Sequence, residues 1–338
     1  MEDLQIVGNT LVKYTGKERD VKIPDGVEIV GDSAFALCYC LTSVTIPDSV
    51  NKIEKNAFYD CSFLKSVTIG SGVESIGDHA FFSCSSLTSI AIPDSVRTIG
   101  RHAFYHCKSL TSLSIPGSVK KIERSTFSGC YNLRSVVLGN GVKTIGQYAF
   151  SECHKLTSVT IPKSVKSIGI GAFDFCTSLT SISMLDSIKR IGPWAFYACS
   201  KLTSVTIGEG IKEIGHAAFG CTGATSAMAN YKAFSLTKTG KLKCVNKIYT
   251  VGKKSMVRGD LEICRNGIHY CTNLFDVFGY YYGEYGKDFV ICLCKVSDEN
   301  TSGDACDSKR CARWIVPMQI LTMKEIAGLL NNKSTMGR

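Results

Sequence analysis

The sequence lacks the features that define several classes of protein. No apolar run approaches 18 residues, so we predict no segment that spans a membrane. Residues Met1 to Gln5 carry neither a basic start nor an apolar run, so we expect no signal peptide in this chain. We expect a cytoplasmic protein, unless a leader has been removed from a protein that is secreted or held at the cell surface. None of the 17 cysteines forms a CxxC pair, which disfavours a zinc framework.

A repeat of 23 residues runs through about two-thirds of the chain. Each unit carries a phenylalanine, and Ala precedes it everywhere except at Phe127, where Thr126 takes that place. The phenylalanines are Phe35, Phe58, Phe81, Phe104, Phe127, Phe150, Phe173, Phe196 and Phe219. A fixed period of this length is typical of a solenoid, in which each coil buries its apolar face against its neighbours. The unbroken spacing predicts that Phe127 is a core residue despite the polar residue beside it.

Each unit also contains the pattern of a short strand, Leu-x-x-Val-x-Ile, as in Leu41 to Ile46. Val44 and Ile46 are two residues apart, so both side chains point to the same face of the strand. Stacked coils place these strands side by side in a parallel sheet. Val50, Ile53 and the repeat phenylalanine are expected to close the coil from the other side. The outward face of the sheet is expected to be a smooth surface of Ser and Thr.

A cysteine follows the repeat phenylalanine by three residues in eight units. These cysteines are Cys38, Cys61, Cys84, Cys107, Cys130, Cys153, Cys176 and Cys199. Stacked coils place them about 5 Å apart in one column, which is the spacing of adjacent strands. We predict a ladder of buried, reduced thiols that pack as small apolar residues. Parallel side chains in register do not point at each other as a disulfide requires.

The repeat as a whole resembles the BspA-like leucine-rich repeat family. The resemblance rests on the pattern I-P-x-S-V-x-x-I-G-x-x-A-F, which residues 92–104 follow closely, and it covers about residues 20–222. It implies an α/β-type leucine-rich repeat solenoid of right-handed coils with a parallel sheet. It also implies interaction roles, often at cell surfaces, without specifying a ligand.

Charge and composition divide the chain into two parts. Residues 1–228 hold 22 Lys or Arg and 19 Asp or Glu, a balance of +3, whereas the remainder holds 17 and 10, a balance of +7. The repeat fails after Phe219, and the small and polar residues 222–230 read as a linker. We therefore predict a solenoid with an N-terminal cap over residues 1–227 and a small, basic α+β domain over residues 228–338.

The second part resembles an uncharacterised module found in phage and bacterial proteins. The resemblance covers about residues 230–330 and rests on segments 231–234, 264–271 and 276–281. That family implies no established activity. Strands are expected at 231–236, 242–251, 261–264, 268–271, 288–296 and 312–320, and helices at about 272–278 and 322–331.

Three interpretations of the C-terminal motif stay open. In the first, Cys264, His269 and Cys271, together with Cys292 and Cys294, are the ligands of a zinc site. In the second, the part is an enzyme, because the motif loosely resembles the nicotinamide pocket of ADP-ribosyltransferases, although no convincing catalytic Glu follows. In the third, the same side chains pack in a small core and carry no chemistry. Cys306 and Cys311 form a disulfide only in an oxidising compartment.

A column of cations follows the repeat, one residue after the apolar position that Val50 occupies. Six successive units carry Arg97, Lys120, Lys143, Lys166, Lys189 and Lys212 there. One interpretation is a solvated edge that keeps the solenoid soluble. The other is a docking stripe for an acidic protein, a polyanionic glycan or a nucleic acid. Aromatic residues for base stacking are absent from the column, so sequence-specific binding of nucleic acid is not expected.

A second candidate surface is an aromatic edge next to the repeat phenylalanines. Its residues are Tyr59, Phe82, Tyr105, Trp194 and Tyr197. We expect this variable edge to determine which partner binds. The features together predict a non-enzymatic interaction protein without a cofactor, whose solenoid binds a protein or a polyanionic macromolecule. The alternative is an enzyme or metal-binding protein with its site in the C-terminal part.

Overall fold

The computed structural model describes residues 3–208, 210–215 and 217–223, and beyond them the backbone of eight strands between residues 230 and 321. Over the first of these parts the chain forms a parallel β-solenoid of about nine turns with a period of 23 residues. Each turn contributes two short strands. The solenoid therefore has two rows of parallel strands, where the sequence pattern predicts one.

The first row consists of the strands that the Leu-x-x-Val-x-Ile pattern predicts. They are Asp20–Lys22, Ser43–Ile46, Ser66–Ile69, Ser89–Ile90, Ser112–Ile115, Ser135–Leu138, Ser158–Thr160, Ser181–Met184 and Ser204–Ile207. Ser43 pairs with Ser66, one period later, so equivalent side chains stack from coil to coil. Val44 and Ile46 are buried and Thr45 is exposed, the alternation expected when one face of a sheet lies in the core.

The second row consists of two-residue strands that follow the buried apolar position of the Val50 type. They are Ile29–Val30, Lys52–Ile53, Ser75–Ile76, Thr98–Ile99, Lys121–Ile122, Thr144–Ile145, Ser167–Ile168, Arg190–Ile191 and Glu213–Ile214. The second residue of each strand is buried and the first is more exposed. Two residues are too few to show an alternating pattern, so the sequence does not reveal this row. The row is broken once, between Thr98–Ile99 and Lys121–Ile122.

An antiparallel hairpin covers the N-terminal end of the solenoid. Strands Leu4–Val7 and Thr10–Tyr14 pair with each other, and Thr10–Tyr14 also pairs in parallel with Ile29–Val30. Tyr14 is buried, and its ring centroid lies 5.2 Å from that of Phe35. The hairpin thus shields the apolar end of the first coil, as terminal units of repeat proteins do.

The α/β-type prediction is wrong for the part of the chain that the structure describes, because no helix occurs there. Residues on both sides of the Ala-Phe pair adopt left-handed backbone angles instead, with φ of 55° at Asn56 and 53° at Asp60. The intervening amide of Phe58 donates to the carbonyl oxygen of Ala80 in the next coil at 2.7 Å. Coil-to-coil hydrogen bonds therefore replace the bonds to residue i−4 that a helix would make.

Leu37 tests the cost of this left-handed conformation. It has a φ of 62° and is 52% exposed, so little packing depends on its side chain. A left-handed conformation costs a residue with a β-carbon about 1–2 kcal/mol. Glycine avoids this cost, but it loses more conformational entropy when the chain folds. We expect Leu37→Gly to be more stable than Leu37→Ala by about 0.5–1 kcal/mol in chemical denaturation. Equal stability of the two variants would contradict strain at this position.

Columns of phenylalanine and cysteine form the core. The nine repeat phenylalanines are fully buried, and successive rings stack nearly parallel with centroids 4.9–5.5 Å apart. The thiols from Cys61 to Cys199 are buried beside them, and each donates to a main-chain carbonyl oxygen one coil back, as Cys61 Sγ does to Phe35 at 3.0 Å. The predicted ladder is confirmed for these seven residues, which are free thiols. Cys38 departs from it, because the end of the solenoid leaves it only half-buried.

Beyond the solenoid the described strands form one antiparallel sheet. They are Asn230–Leu236, Leu242–Cys244, Lys247–Tyr249, Ser255–Met256, Ile268–Cys271, Phe289–Val296, Lys309–Ala312 and Trp314–Leu321. Phe289–Val296 pairs with both Asn230–Leu236 and Trp314–Leu321, the central position that its continuous apolar sequence predicts. The strand predicted at 242–251 is instead two strands that pair with each other. The strand predicted at 261–264 and both predicted helices lie outside the described residues.

Candidate functional site

The six cations of the predicted stripe, called the basic row below, are all exposed. They are Arg97, Lys120, Lys143, Lys166, Lys189 and Lys212. Each directly follows a buried Val or Ile, such as Val96 or Val142, and packing of that apolar side chain turns the cation outward. The short strand of the second row begins at the next residue, and its pairing keeps the coils in register.

Main-chain hydrogen bonds hold most of the basic row at a fixed spacing. From Lys143 to Lys212, the amide of each member donates to the carbonyl oxygen of the member one coil earlier at 2.7–2.8 Å. Adjacent side chains therefore leave the backbone about 5 Å apart. The earlier members of the same column are Glu28, Asn51 and Glu74. The column thus changes from acidic to basic along the solenoid.

Neighbouring carboxylates do not neutralise the basic row. Within the residues that the structure describes, no ion pair includes a member of the row. Lys120 Nζ donates to the main-chain carbonyl oxygen of Gly117 at 2.8 Å, and Lys189 Nζ makes the equivalent bond within its own turn at 3.2 Å. These bonds orient two of the ammonium groups but supply no opposite charge.

A cleft interrupts the basic row where the second row of strands is broken. No main-chain hydrogen bond from Lys120 to Arg97 is present in this described segment. The cleft has a volume of about 360 Å³ and is lined by Arg97, Thr98, Ile99, Ser118, Lys120, Lys121 and Glu123. Lys121 pairs with Glu123 at 2.7 Å, which leaves Arg97 and Lys120 as its unneutralised cations.

The structure divides the predicted aromatic edge into two parts. Tyr59, Phe82 and Tyr105 stack face to face in successive coils, with ring centroids 4.9 and 5.0 Å apart. Trp194 and Tyr197 belong to a coil four periods after that of Tyr105. In the three coils between, the position of the stacked rings is occupied by Ser128, Ser151 and Asp174. Short side chains in place of three rings leave a gap in the edge.

This gap forms a cleft of about 530 Å³, called the polar cleft below. Its lining residues are His79, Phe82, His102, Tyr105, Arg124, Ser125, Ser128, Tyr148, Ser151, Glu152 and Asp174. Ser128 and Ser151 are only 6% and 5% exposed, so they lie at its base. The ring of His79 stacks on that of His102 at 4.9 Å and extends the aromatic wall. Sequence reasoning missed the base of this cleft, although the break in the aromatic column is visible in the repeat.

Two buried polar atoms give the polar cleft unused hydrogen-bonding capacity. Oδ1 of Asp174 and Nδ1 of His102 have no hydrogen-bond partner among the described residues. Burial raises the pKa of Asp174 to about 6, a hydrogen bond from Ser151 opposes that shift, and the charge of Glu152 adds to it. Burial, followed by the neighbouring His79, lowers the pKa of His102. Buried polar atoms of this kind are usually satisfied, so these two are exceptions within the described residues.

Asp174→Asn tests the cost of burying this carboxylate. The folded-state pKa is raised above the ordinary value of 3.8, so the fold binds the proton more tightly than the unfolded chain does. Ionisation therefore destabilises the fold as the pH rises through about 6. We expect the variant to be more stable than the parent at about pH 8 and to lose that advantage at about pH 4 in urea denaturation. An equal difference at both pH values would contradict this account.

The candidate metal ligands of the C-terminal part are not tested by the described residues. His269 and Cys271 lie on the strand Ile268–Cys271, and Cys264 lies outside the residues that are described. No group of three or more metal-ligating side chains occurs within the described part of the chain. Nor does that part contain a helix long and apolar enough to cross a membrane. The zinc and ADP-ribosyltransferase interpretations stay predictions, as does the disulfide between Cys306 and Cys311.

Several solved structures are similar to this chain. A leucine-rich repeat protein of T. pallidum is 34% identical over 50% of this chain and 82% of its own, with a TM-score of 0.48. A leucine-rich cell-surface protein from Faecalibacterium prausnitzii A2-165 is 33% identical over 64% of this chain and 77% of its own, with a TM-score of 0.44. No curated protein matches the sequence.

Two family models match the sequence and together span most of it. The model for a domain of unknown function (DUF7666) matches residues 228–328, in agreement with the uncharacterised C-terminal module. The model described as BspA type leucine-rich repeat region, in six copies, matches residues 5–134 and 120–238. Since that model spans well over half of the chain, this protein belongs to the BspA-type leucine-rich repeat family.

Proposed function

We propose that this protein is a non-enzymatic binding scaffold whose solenoid holds an acidic macromolecule along the basic row. The observation that supports this most directly is the row itself. Six exposed cations succeed one another at the coil spacing, and no ion pair in the described part of the chain neutralises any of them. The cleft beside Arg97 and Lys120 adds a place where an anionic group of the partner enters between two coils.

Repulsion within the basic row favours such a partner. At the backbone spacing of about 5 Å, two ammonium groups would repel by about 0.8 kcal/mol in bulk water, and physiological salt would screen part of this. If the row served only to keep this edge soluble, acidic or neutral residues would serve equally well. The column carries such residues earlier, at Glu28, Asn51 and Glu74. A polyanion that lies along the row relieves the repulsion and releases bound counterions.

The partner is recognised by charge and spacing rather than by sequence. The basic row contains no aromatic residue on which a base could stack, and its side chains are flexible. An acidic protein surface and a polyanionic glycan fit this chemistry, and a nucleic acid fits it only through its phosphates. The family's cell-surface relatives are compatible with a partner outside the cell, and we propose the two parts 1–227 and 228–338 as separate modules.

A matched pair of charge-reversal variants tests this function. The row variant carries Lys120→Glu, Lys143→Glu and Lys166→Glu. The control carries Lys13→Glu, Lys65→Glu and Lys201→Glu, which are exposed, lie outside the row and lower the net charge by the same amount. We expect the parent and the control to be retained on immobilised heparin and the row variant to elute at much lower salt.

Circular dichroism would first establish that both variants fold. Equal retention of the row variant and the parent would refute the proposal. In that event the C-terminal part, with its balance of +7, would be the anion-binding region.

A further inference from the structure

The polar cleft is a departure from a repeat that is otherwise regular. The position of Tyr59, Phe82 and Tyr105 carries an aromatic ring in three successive coils, and then short polar side chains in the next three. The core beneath is unchanged, because Phe127, Phe150 and Phe173 continue the buried stack. Coil stacking therefore does not require the change, and the fold tolerates either kind of residue at this position.

The lining of the cleft combines flat rings with hydrogen-bonding groups. Phe82 and Tyr105 form one wall, in which Tyr105 is stacked by Phe82 at 5.0 Å and by His106 at 4.1 Å, and the ring of Tyr148 faces the gap. A β-carbon at Gly171 would lie 2.4 Å from the ring of Tyr148. The absence of a side chain at this glycine therefore leaves room for that ring. The serines at the base and the carboxylates of Glu152 and Asp174 supply donors and acceptors within the same space.

Charge selects the kind of ligand that fits. Arg124 contributes a cation, whereas Glu152 and Asp174 contribute anions, so a ligand with a high charge of either sign meets a like charge. A neutral polyhydroxylated molecule meets none. Its hydroxyl groups both donate and accept, which suits the serines and the carboxylates of Glu152 and Asp174 that line the cleft.

We propose that the polar cleft is a binding site for a neutral oligosaccharide, which packs a sugar ring against Tyr148 and directs hydroxyl groups to Asp174 and Glu152. The volume of about 530 Å³ is within the range of small-molecule sites. The gap extends over three coils, or roughly 15 Å at the strand spacing, which favours a chain of sugars over a single one. None of the lining residues belongs to the basic row, so this site is independent of the proposed polyanion surface.

The test begins with the full-length protein on an array of neutral and sulfated glycans, followed by calorimetric titration of the best neutral glycan. The central variant is Ser151→Tyr, which gives this coil the side chain that Tyr59 and Tyr105 provide in theirs and so fills the cleft. The matched control is Ser181→Tyr, an exposed position on the first row of strands. We expect a neutral glycan to bind one to one, Ser151→Tyr to weaken it at least tenfold, and the control to bind as the parent does.

Glu152→Gln provides a second variant that keeps the cleft open, and we expect it to weaken the same glycan while the melting temperature stays within a few degrees. It decides the question if Ser151→Tyr fails to fold. The proposal is overturned if no neutral glycan binds, if sulfated glycans alone bind, or if both cleft variants bind as the parent does. Preferential binding of a lysine-rich peptide, measured in the same titration, would also overturn it.

Discussion

Phe127→Ala is expected to lower the free energy of unfolding by about 3–5 kcal/mol, the usual cost of emptying a large buried site. Phe127 is fully buried, and its ring lies 5.3 Å from Phe104 and 5.5 Å from Phe150. The alanine would leave a void between two rings that the hydrogen-bonded coils hold apart, so the core cannot collapse around it. Urea denaturation followed by circular dichroism measures the loss.

Thr126→Ala is the matched control for this experiment. Thr126 is also fully buried, but its hydroxyl donates to the carbonyl oxygen of Glu123 at 2.9 Å, and alanine is the residue that the other units carry here. We expect this change to alter the free energy of unfolding by about 1 kcal/mol or less. A loss below about 1 kcal/mol for Phe127→Ala as well would contradict the continuous phenylalanine column.

The thiols of the cysteine ladder are expected to resist alkylation by orders of magnitude in the native protein. Their side chains are fully buried, and burial raises the pKa of Cys84, Cys107, Cys130, Cys153 and Cys176, so the reactive thiolate is scarce even where reagent enters. Iodoacetamide labelling, read peptide by peptide in a mass spectrometer, compares the native and the urea-unfolded protein.

Cys40 provides the internal reference for this labelling. It lies off the ladder and is only partly buried, so it is expected to react in the native state well before the ladder does. Native labelling of the ladder thiols at the rate of Cys40 would contradict their burial. Labelling that appears only with global unfolding would show that the coils do not open one by one.

The sequence predicts the parts of the fold that depend on a long, repeated pattern. Val44 and Ile46 recur in register through the coils, so the first row of strands and its buried face follow from alternation alone. The two-residue strands such as Lys52–Ile53 carry no such pattern and are defined by hydrogen bonds to other coils. The α/β-type prediction fails for a related reason, since left-handed angles recur at residues as different as Leu37, His79 and Phe175 and therefore do not follow from residue type.

The candidate surfaces show the same division. The basic row is exposed because each cation follows a buried Val or Ile. That arrangement can be predicted from the spacing of the repeat alone. The polar cleft depends instead on the absence of aromatic rings at Ser128, Ser151 and Asp174. It also depends on the burial of the two serines at its base. Replacement of a ring by serine is visible in the sequence, but the resulting volume and the unpartnered atom of Asp174 require the three-dimensional arrangement.

The salt dependence of polyanion binding tests the central claim most directly. The parent, a row variant with Lys120→Ala, Lys143→Ala and Lys166→Ala, and a control with Lys13→Ala, Lys65→Ala and Lys201→Ala would be titrated with a short DNA duplex as a polyanion of known charge spacing. Each cation that neutralises a phosphate contributes about 0.9 to the slope of log K against log salt. We predict that the slope falls by about 2.7 for the row variant and is unchanged for the control. A slope that is the same in all three proteins would contradict binding along the basic row.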